Sequence, residues 1–376
     1  MEKFPSIFND VIGPVMRGPS SSHCAASLRI GRLCRNLTHD DIREVYIEFD
    51  PNGSLATTHK GQGTDMGLIG GFMGWSADDE RLPEYQQAAD ALGMKIEIDI
   101  HPIGATHPNT YQITLKNDSE THQLIALSTG GGMIDVIAID GATVQMNGDF
   151  YETLIYTTTD ITGKLSELKS YAEFIELHQG TKSFIEIKSV EPLPGNLIEE
   201  ISALAGVDRV RILNPVLPVL SRKNLKVPFI TASEMEVYNE GKNLSLWELA
   251  IHYEMMRGAI SEEEVFEKMR AIVRIMRNSI AQGLKGTYWE DRILGAQSLN
   301  FRTRMQDGQL VEGDVLNTII LFTSAMMEVK SSMGVIVAAP TAGSCGALPG
   351  AVIGAGTVLD LEEDEDRKST RLNASH

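Results

Sequence analysis

Twenty-nine consecutive residues, Ser331 to Leu359, carry no charge, and Pro340 and Pro349 divide them. A proline inside a helix removes a donor and clashes with the preceding turn, so one uninterrupted helix is not expected there. The segment Ala339-Pro340-Thr341-Ala342-Gly343-Ser344-Cys345-Gly346 reads instead as a buried loop that presents a single thiol. As a thiolate, Cys345 is a candidate metal ligand, and its small neighbours would allow a cofactor close to the backbone. The other reading is an inert buried cysteine in a glycine-rich helix connection. The stretch is long enough to span a bilayer. Its prolines, glycines and hydroxyl residues point instead to the core of a soluble domain.

A chain of 376 residues has room for two or three domains, each with its own core. A net charge of −18 argues against nucleic acid as the main partner, since phosphate binding needs a basic footprint. The cysteines, Cys24, Cys34 and Cys345, are too few and too scattered for a disulfide framework and fit a reducing cytoplasm. The N-terminus, Met1-Glu2-Lys3-Phe4-Pro5-Ser6, lacks the apolar core of a signal peptide.

Residues 1–148 read as a mixed α/β unit. Gly18-Pro19-Ser20-Ser21-Ser22-His23 is a polar turn ahead of a helix from Cys24 to Leu37, whose apolar face is Ala26, Ile30, Leu33 and Leu37. Three serines there supply a helix cap and free donors suited to an anion. Strands are expected at Val45–Phe49, Ile96–Ile100, Thr110–Leu115 and Leu124–Leu127. Polar glycine loops lie at Thr57–Asp65 and Ser128–Met133, and His107-Pro108-Asn109 sits between two strands. With the turn at Gly18–His23 the two glycine loops make three, which suggest one pocket or interface approached by backbone, but none matches a dinucleotide fingerprint or a P-loop.

Residues 149–217 give the order βαββαβ of a ferredoxin-like split unit, with strands at Thr153–Thr159, Phe174–Leu177, Phe184–Val190 and Val207–Leu213. Its helices are expected at Lys164–Tyr171 and Asn196–Ala205. Residues 218–361 read as all-α. Ser245 and Glu248 form a capping box, Glu262–Leu284 is a long amphipathic helix, and Asp314–Glu328 is apolar on most sides and expected to be buried. Residues 362–376, an acidic run and an aperiodic end, read as a disordered tail whose last residues are candidates for a non-native addition.

The motifs resemble those of iron–sulfur L-serine dehydratases. Ser6-Ile7-Phe8-Asn9-Asp10-Val11-Ile12-Gly13-Pro14 with Gly18–His23 is similar to the family's β domain. His107-Pro108-Asn109-Thr110 and Ser128-Thr129-Gly130-Gly131-Gly132 look like landmarks of that same domain. Met333-Gly334 with Val337–Gly346 resembles the start of the cluster-binding part of its α domain. The middle unit is similar to an ACT domain, with Asp160-Ile161-Thr162-Gly163-Lys164-Leu165 resembling its ligand-loop turn. The resemblance implies an α+β multidomain chain in the order β, ACT-like, α, with the α domain incomplete. It implies L-serine ammonia-lyase activity giving pyruvate and ammonia, L-serine as partner, a homodimer, and neither nucleic acid nor membrane.

It further implies a [4Fe–4S] cluster on three cysteines, whose open iron acts as Lewis acid on the substrate. Cys345 matches the first ligand, whereas Cys24 and Cys34 match neither of the others. The family commonly reads Gly-His-Gly-Thr-Asp where this chain has Gly61-Gln62-Gly63-Thr64-Asp65, and Gln62 is no general base. His23 and His59 are then the candidate proton carriers. Ser20, Ser21, Ser22, Thr64, Asp65, His107, Asn109, Gly131, Thr341 and Gly343 are the candidate substrate-binding residues. The competing reading is an amino-acid-binding regulatory module or an inactive fragment without the cluster. A pyridoxal-phosphate lyase is a weaker third option, because no lysine lies in a phosphate-cradling loop.

Overall fold

A computed structural model describes residues 4–39, 41–159, 161, 168–290 and 294–361. The chain forms two compact units, Ser22–Asn224 and a second made of Met1–Ser21 with Leu225–His376. The first strand, β1 (Val15–Met16), belongs to the second unit.

The unit 22–224 is built on two sheets. Its first half runs α1 (Ala26–Leu37), β2 (Glu44–Phe49), α2 (Leu55–Thr58), α3 (Thr64–Phe72), α4 (Tyr85–Ala91), β3 (Lys95–Ile100), β4 (Thr110–Lys116), β5 (Thr121–Gly130), β6 (Met133–Ile139) and β7 (Ala142–Met146). The strands order as β3-β2-β4-β5-β6-β7, and β2 with β3 is the parallel pair. The stripe Ala26, Ile30, Leu33 and Leu37 of α1 is buried, as its spacing predicts. The glycines of α3 bring the two helices together. A Cβ on Gly67 would run into Ser27 Oγ and the Cys24 carbonyl, and one on Gly71 would strike the Leu28 carbonyl. They serve helix contact rather than a cofactor.

The second half runs β8 (Tyr151–Thr157), β9 (Phe174–His178), β10 (Phe184–Ser189), α5 (Gly195–Ser202) and β11 (Val207–Leu213). Its sheet order is β11-β8-β10-β9 with every neighbour antiparallel, the strand arrangement of a split βαβ unit. The helix expected at Lys164–Tyr171 and the turn at Asp160–Leu165 fall largely outside the described residues. A buried charged cluster joins the two sheets. His122 Nδ1 meets Asp140 Oδ2 at 2.7 Å and its Nε2 meets Glu120 Oε2 at 3.1 Å. Tyr156 donates to Asp140 at 2.9 Å, and Arg209 and Arg211 donate to Glu120 at 2.8 and 2.5 Å.

The other unit continues with α6 (Ala232–Asn239), α7 (Leu246–Gly258), α8 (Glu262–Gly283), α9 (Ser298–Gln306), α10 (Asp314–Ser331), β12 (Ile336–Val337) and α11 (Ala347–Val358). It is not all helix, because β12 pairs antiparallel with β1 through Val15↔Val337 and Met16↔Ile336. Glu248 accepts from the Ser245 N–H at 2.8 Å, closing the expected capping box. Val265, Met269, Ile272, Met276 and Ile280 of α8 are buried as the periodicity predicts. Helix α10 departs from expectation: Leu321, Ala325, Met326 and Val329 are buried, while Leu316 is 62% exposed. Among the described residues no helix is long and apolar enough to cross a membrane.

Of the two prolines, Pro340 interrupts the stretch as expected and Pro349 does not. Pro349 lies in the first turn of α11, where its missing N–H has no helical partner to lose, so the helix runs on to Val358. Pro340 follows a cis peptide bond and lies outside any helix. Glycines of α11 face α10: a Cβ on Gly350 would sit 2.9 Å from Thr323 N, and one on Gly354 3.1 Å from Ile319 Cα. Small residues in the uncharged stretch thus seat one helix on another, and what stays exposed is the loop at Pro340, Thr341 and Gly343, Ala347 at the start of α11, and Thr357, Val358 and Leu359 at its end.

Candidate active site

His23 sits in a π-helical turn, Ser21–Ala25, that leads directly into α1. The three serines are therefore no N-cap. The N-cap of α1 is Ala25, with no side-chain bond, since the π turn already supplies carbonyls to the helix. His23 is 8% exposed. Its Nε2 lies 3.1 Å from Thr58 Oγ1, and its Nδ1 lies 3.2 Å from Ser22 Oγ. Thr58 donates its own hydroxyl hydrogen to the Ser54 carbonyl at 2.6 Å. A hydroxyl has one hydrogen, so Nε2–H is the donor to Thr58, and the neutral ring holds its lone pair on Nδ1. Burial lowers the pKa of His23 and keeps the ring neutral.

The contacts continue as a closed circuit. Ser54 Oγ donates to Asn109 Oδ1, Asn109 Nδ2 donates to the Ser128 carbonyl at 3.4 Å, and Ser128 Oγ donates to the Ser22 carbonyl at 2.7 Å. Ser128 N–H returns to the Asn109 carbonyl at 3.0 Å. The loop after β2, the start of β4, the end of β5 and the turn before α1 thus converge on one imidazole. His107 fixes the same corner, its Nδ1 accepting the Asn109 N–H at 3.1 Å. Gly131 is at the tip of the β5–β6 hairpin. The expected third glycine loop is this tight turn, in which Gly130, Gly131 and Gly132 all have positive φ, and Arg29 donates to the Gly132 carbonyl at 2.5 Å.

His59 immediately follows Thr58. Its Nδ1 lies 2.7 Å from Asp65 Oδ1 and its ring packs 5.6 Å from Phe49. Asp65 and Thr64 open α3 and are 5% and 0% exposed. Nδ1–H toward the carboxylate leaves Nε2 as the free nitrogen of this couple. Sequence reasoning missed Ser54, Thr58 and Ser128. Thr58 and Ser128 lie within the polar loops singled out and Ser54 just ahead of one, but a short hydroxyl residue there carries no signal of its own.

Ser20, Ser21, Thr341, Gly343 and Cys345 belong to the other compact unit. There the first sequence motif lies along the second. Besides the β1–β12 pair, Gly13 N–H donates to the Ala338 carbonyl at 2.8 Å and Ala338 N–H to the Pro14 carbonyl at 3.0 Å. Arg17 donates to the Met333 carbonyl at 2.8 Å. The extreme N-terminus is anchored on α7, where buried Glu254 accepts from Ser6 Oγ at 2.5 Å and from Ile7 N–H at 2.9 Å. Beyond cis-Pro340, a 3-10 turn at Ala342–Ser344 delivers Cys345, fully buried, with Sγ 3.9 Å from Met327 Sδ. Thr341 Oγ1 and Ser344 Oγ lie 3.1 Å apart on the exposed side.

Burial pushes the Cys345 thiol up to about 11, against a smaller opposing effect of Lys330. Cys24 and Cys34 are buried beside and within α1 in the other unit, and burial pushes Cys24 up to about 12. The sequence has no further cysteine. One thiol in the C-terminal unit does not make the three-cysteine set of an iron–sulfur cluster, so the residues present do not fit that group.

Residues 11–101 match the sequence family described as serine dehydratase beta chain, and residues 241–376 match serine dehydratase alpha chain. A Bacillus subtilis protein named probable L-serine dehydratase, beta chain, is 31% identical over 217 residues, which cover 55% of this chain and 97% of that one. The L-serine dehydratase alpha chain of Peptoniphilus asaccharolyticus is 30% identical over 127 residues, 33% of this chain and 43% of the relative. L-serine dehydratase 2 of Escherichia coli is 22% identical over 347 residues, and the match spans 88% of this chain but 62% of that protein.

Proposed function

Since this chain belongs to the serine dehydratase family, we propose that its chemistry is that of an L-serine ammonia-lyase, with His23 as the residue that moves the proton. The reaction removes the Cα proton and the β-hydroxyl of L-serine as water. The aminoacrylate then tautomerises to an imine, which hydrolyses to pyruvate and ammonia. The observation that carries this reading is the tautomer of His23: a neutral, buried ring anchored through Nε2–H on Thr58, with Nδ1 held ready to accept. Ser22 Oγ beside Nδ1 is the hydroxyl a substrate group displaces or relays through.

The roles of the remaining residues are part of the same proposal. Asn109, His107 and Gly131 shape the corner around His23, and the His59–Asp65 couple provides a second proton carrier. Ser20, Ser21, Thr341 and Gly343, which belong to the other unit, are the candidate donors for a carboxylate. We place the residue range 149–217 as an ACT-like regulatory unit, the assembly as a homodimer and the location as a reducing cytoplasm, which the few, scattered cysteines of the sequence support.

The lone thiol of the C-terminal unit, Cys345, favours a second reading, amino-acid binding without turnover. An anaerobic pyruvate assay with L-serine, run beside iron and sulfide analysis of the 376-residue chain, separates them. Pyruvate that depends on His23 supports the lyase; bound L-serine with no pyruvate supports the second reading.

A further inference from the structure

The four-stranded sheet has one apolar face and one charged one. Ile155, Ile185 and Ile187 form the first with Leu193 and Ile201. On the other, Glu176 of β9 stands directly opposite Glu186 of β10, and His178 is two residues along the same strand. Like charges directly opposite in an antiparallel pair are destabilising, so two carboxylates in register need a cation. Glu186 is 1% exposed. Glu152, on β8 opposite Lys188, is also 1% exposed. Burial, with Glu186 beside it, raises the pKa of Glu152 well above the usual carboxylate range. Lys188 Nζ lies 3.5 Å from Glu152 and 3.2 Å from Glu186, and it donates to the Gln145 carbonyl at 2.6 Å. Lys188 thus faces Glu152 and Glu186, and His178 faces Glu186 and Glu176.

His178 is already oriented as a ligand. Its Nδ1–H donates to the Thr143 carbonyl of β7 at 2.8 Å, which turns Nε2 toward the acids. Nε2 lies 2.7 Å from Glu186 Oε2 and 3.8 Å from Glu176 Oε2. One ligand atom from each of Glu176, His178 and Glu186 lies within 4.8 Å of the others. We propose that these three residues bind a divalent transition-metal ion of the zinc class, with water completing the shell. An imidazole with two carboxylates suits such an ion better than calcium or magnesium, which prefer all-oxygen sites. The ion replaces the proton held between Nε2 and Glu186. Because Thr143 orients His178, the ion clips the β9–β10 hairpin to the edge strand of the six-stranded sheet.

The test is titration of the metal-free 376-residue chain with Co2+, followed by displacement with Zn2+. Expected is one equivalent of cobalt with visible d–d bands and no thiolate charge-transfer band, which distinguishes the site from Cys345. The exposed change Glu176→Gln weakens uptake at least about tenfold, and His178→Gln removes it. No uptake, uptake indifferent to both substitutions, or a thiolate band would each overturn the proposal.

Discussion

His23 Nε2 donates to Thr58 Oγ1 across 3.1 Å, because the Thr58 hydroxyl has already given its hydrogen to the Ser54 carbonyl. A short chain of unambiguous donors and acceptors thereby assigns a tautomer to the candidate base, and it makes Thr58 testable. Thr58→Val keeps the shape and removes the acceptor. We expect turnover of L-serine to fall by about tenfold or more, with a smaller change in KM, because the ring loses its orientation rather than the substrate its contacts. Steady-state kinetics at several pH values check this, and an unchanged kcat would remove Thr58 from the account.

The pH dependence follows from the burial of His23. Its pKa is lowered from the ordinary value near 6.5. The acidic limb of kcat/KM should therefore fall below the usual imidazole range. For stability, the unfolded chain takes up the proton first as pH drops, so this contribution is present above about 6.5 and is lost as pH falls through the lower folded value. Urea midpoints between neutral and mildly acid pH, compared with His23→Gln, measure it. A pH slope identical in both proteins would refute the assignment.

The cluster between the two sheets makes a separate claim about stability. Burial alone would raise the pKa of Glu120, but the His39 N–H, Arg211 and His122 outweigh it and bring it down to about 2. A depressed carboxyl stabilises above the unfolded value of about 4.3 and loses that effect as pH falls toward 2. Glu120→Gln should cost about 3 kcal/mol at neutral pH, since it leaves two arginines without their buried partner. Denaturant unfolding at pH 7 and pH 3 should show a gap between variant and parent that narrows in acid.

In the C-terminal unit, Glu254 holds the N-terminal residues through Ser6 and Ile7. Glu254→Ala removes both bonds and should cost about 2 kcal/mol. It should also expose residues 4–13 to proteolysis, read as a new early cleavage in a timed digest. Resistance equal to the parent would mean that β1 alone secures the segment.

Much of this was legible in the sequence. The α1 stripe followed from periodicity, the capping box from the Ser245–Glu248 spacing, and the strands from β8 to β11 from their β-branched and aromatic runs between turns. His23, His59, Asp65 and Asn109 stood out as polar residues in glycine-rich turns. The closing of those turns on one another did not, because β4 and β5 are brought beside the turn before α1 only by long-range pairing. The serines were misread as a cap because a π turn and an N-cap draw on the same residue types. Pro349 was misread as a breaker because a proline in the first helical turn looks, in sequence, like one after a helix end.

The most direct test of the central claim is L-serine added anaerobically to the parent chain and to His23→Ala, with binding heat and pyruvate measured in the same samples. The account predicts that both bind L-serine, that the parent releases pyruvate, and that His23→Ala releases it at least about a hundredfold more slowly. Pyruvate from His23→Ala at a rate near that of the parent would contradict it.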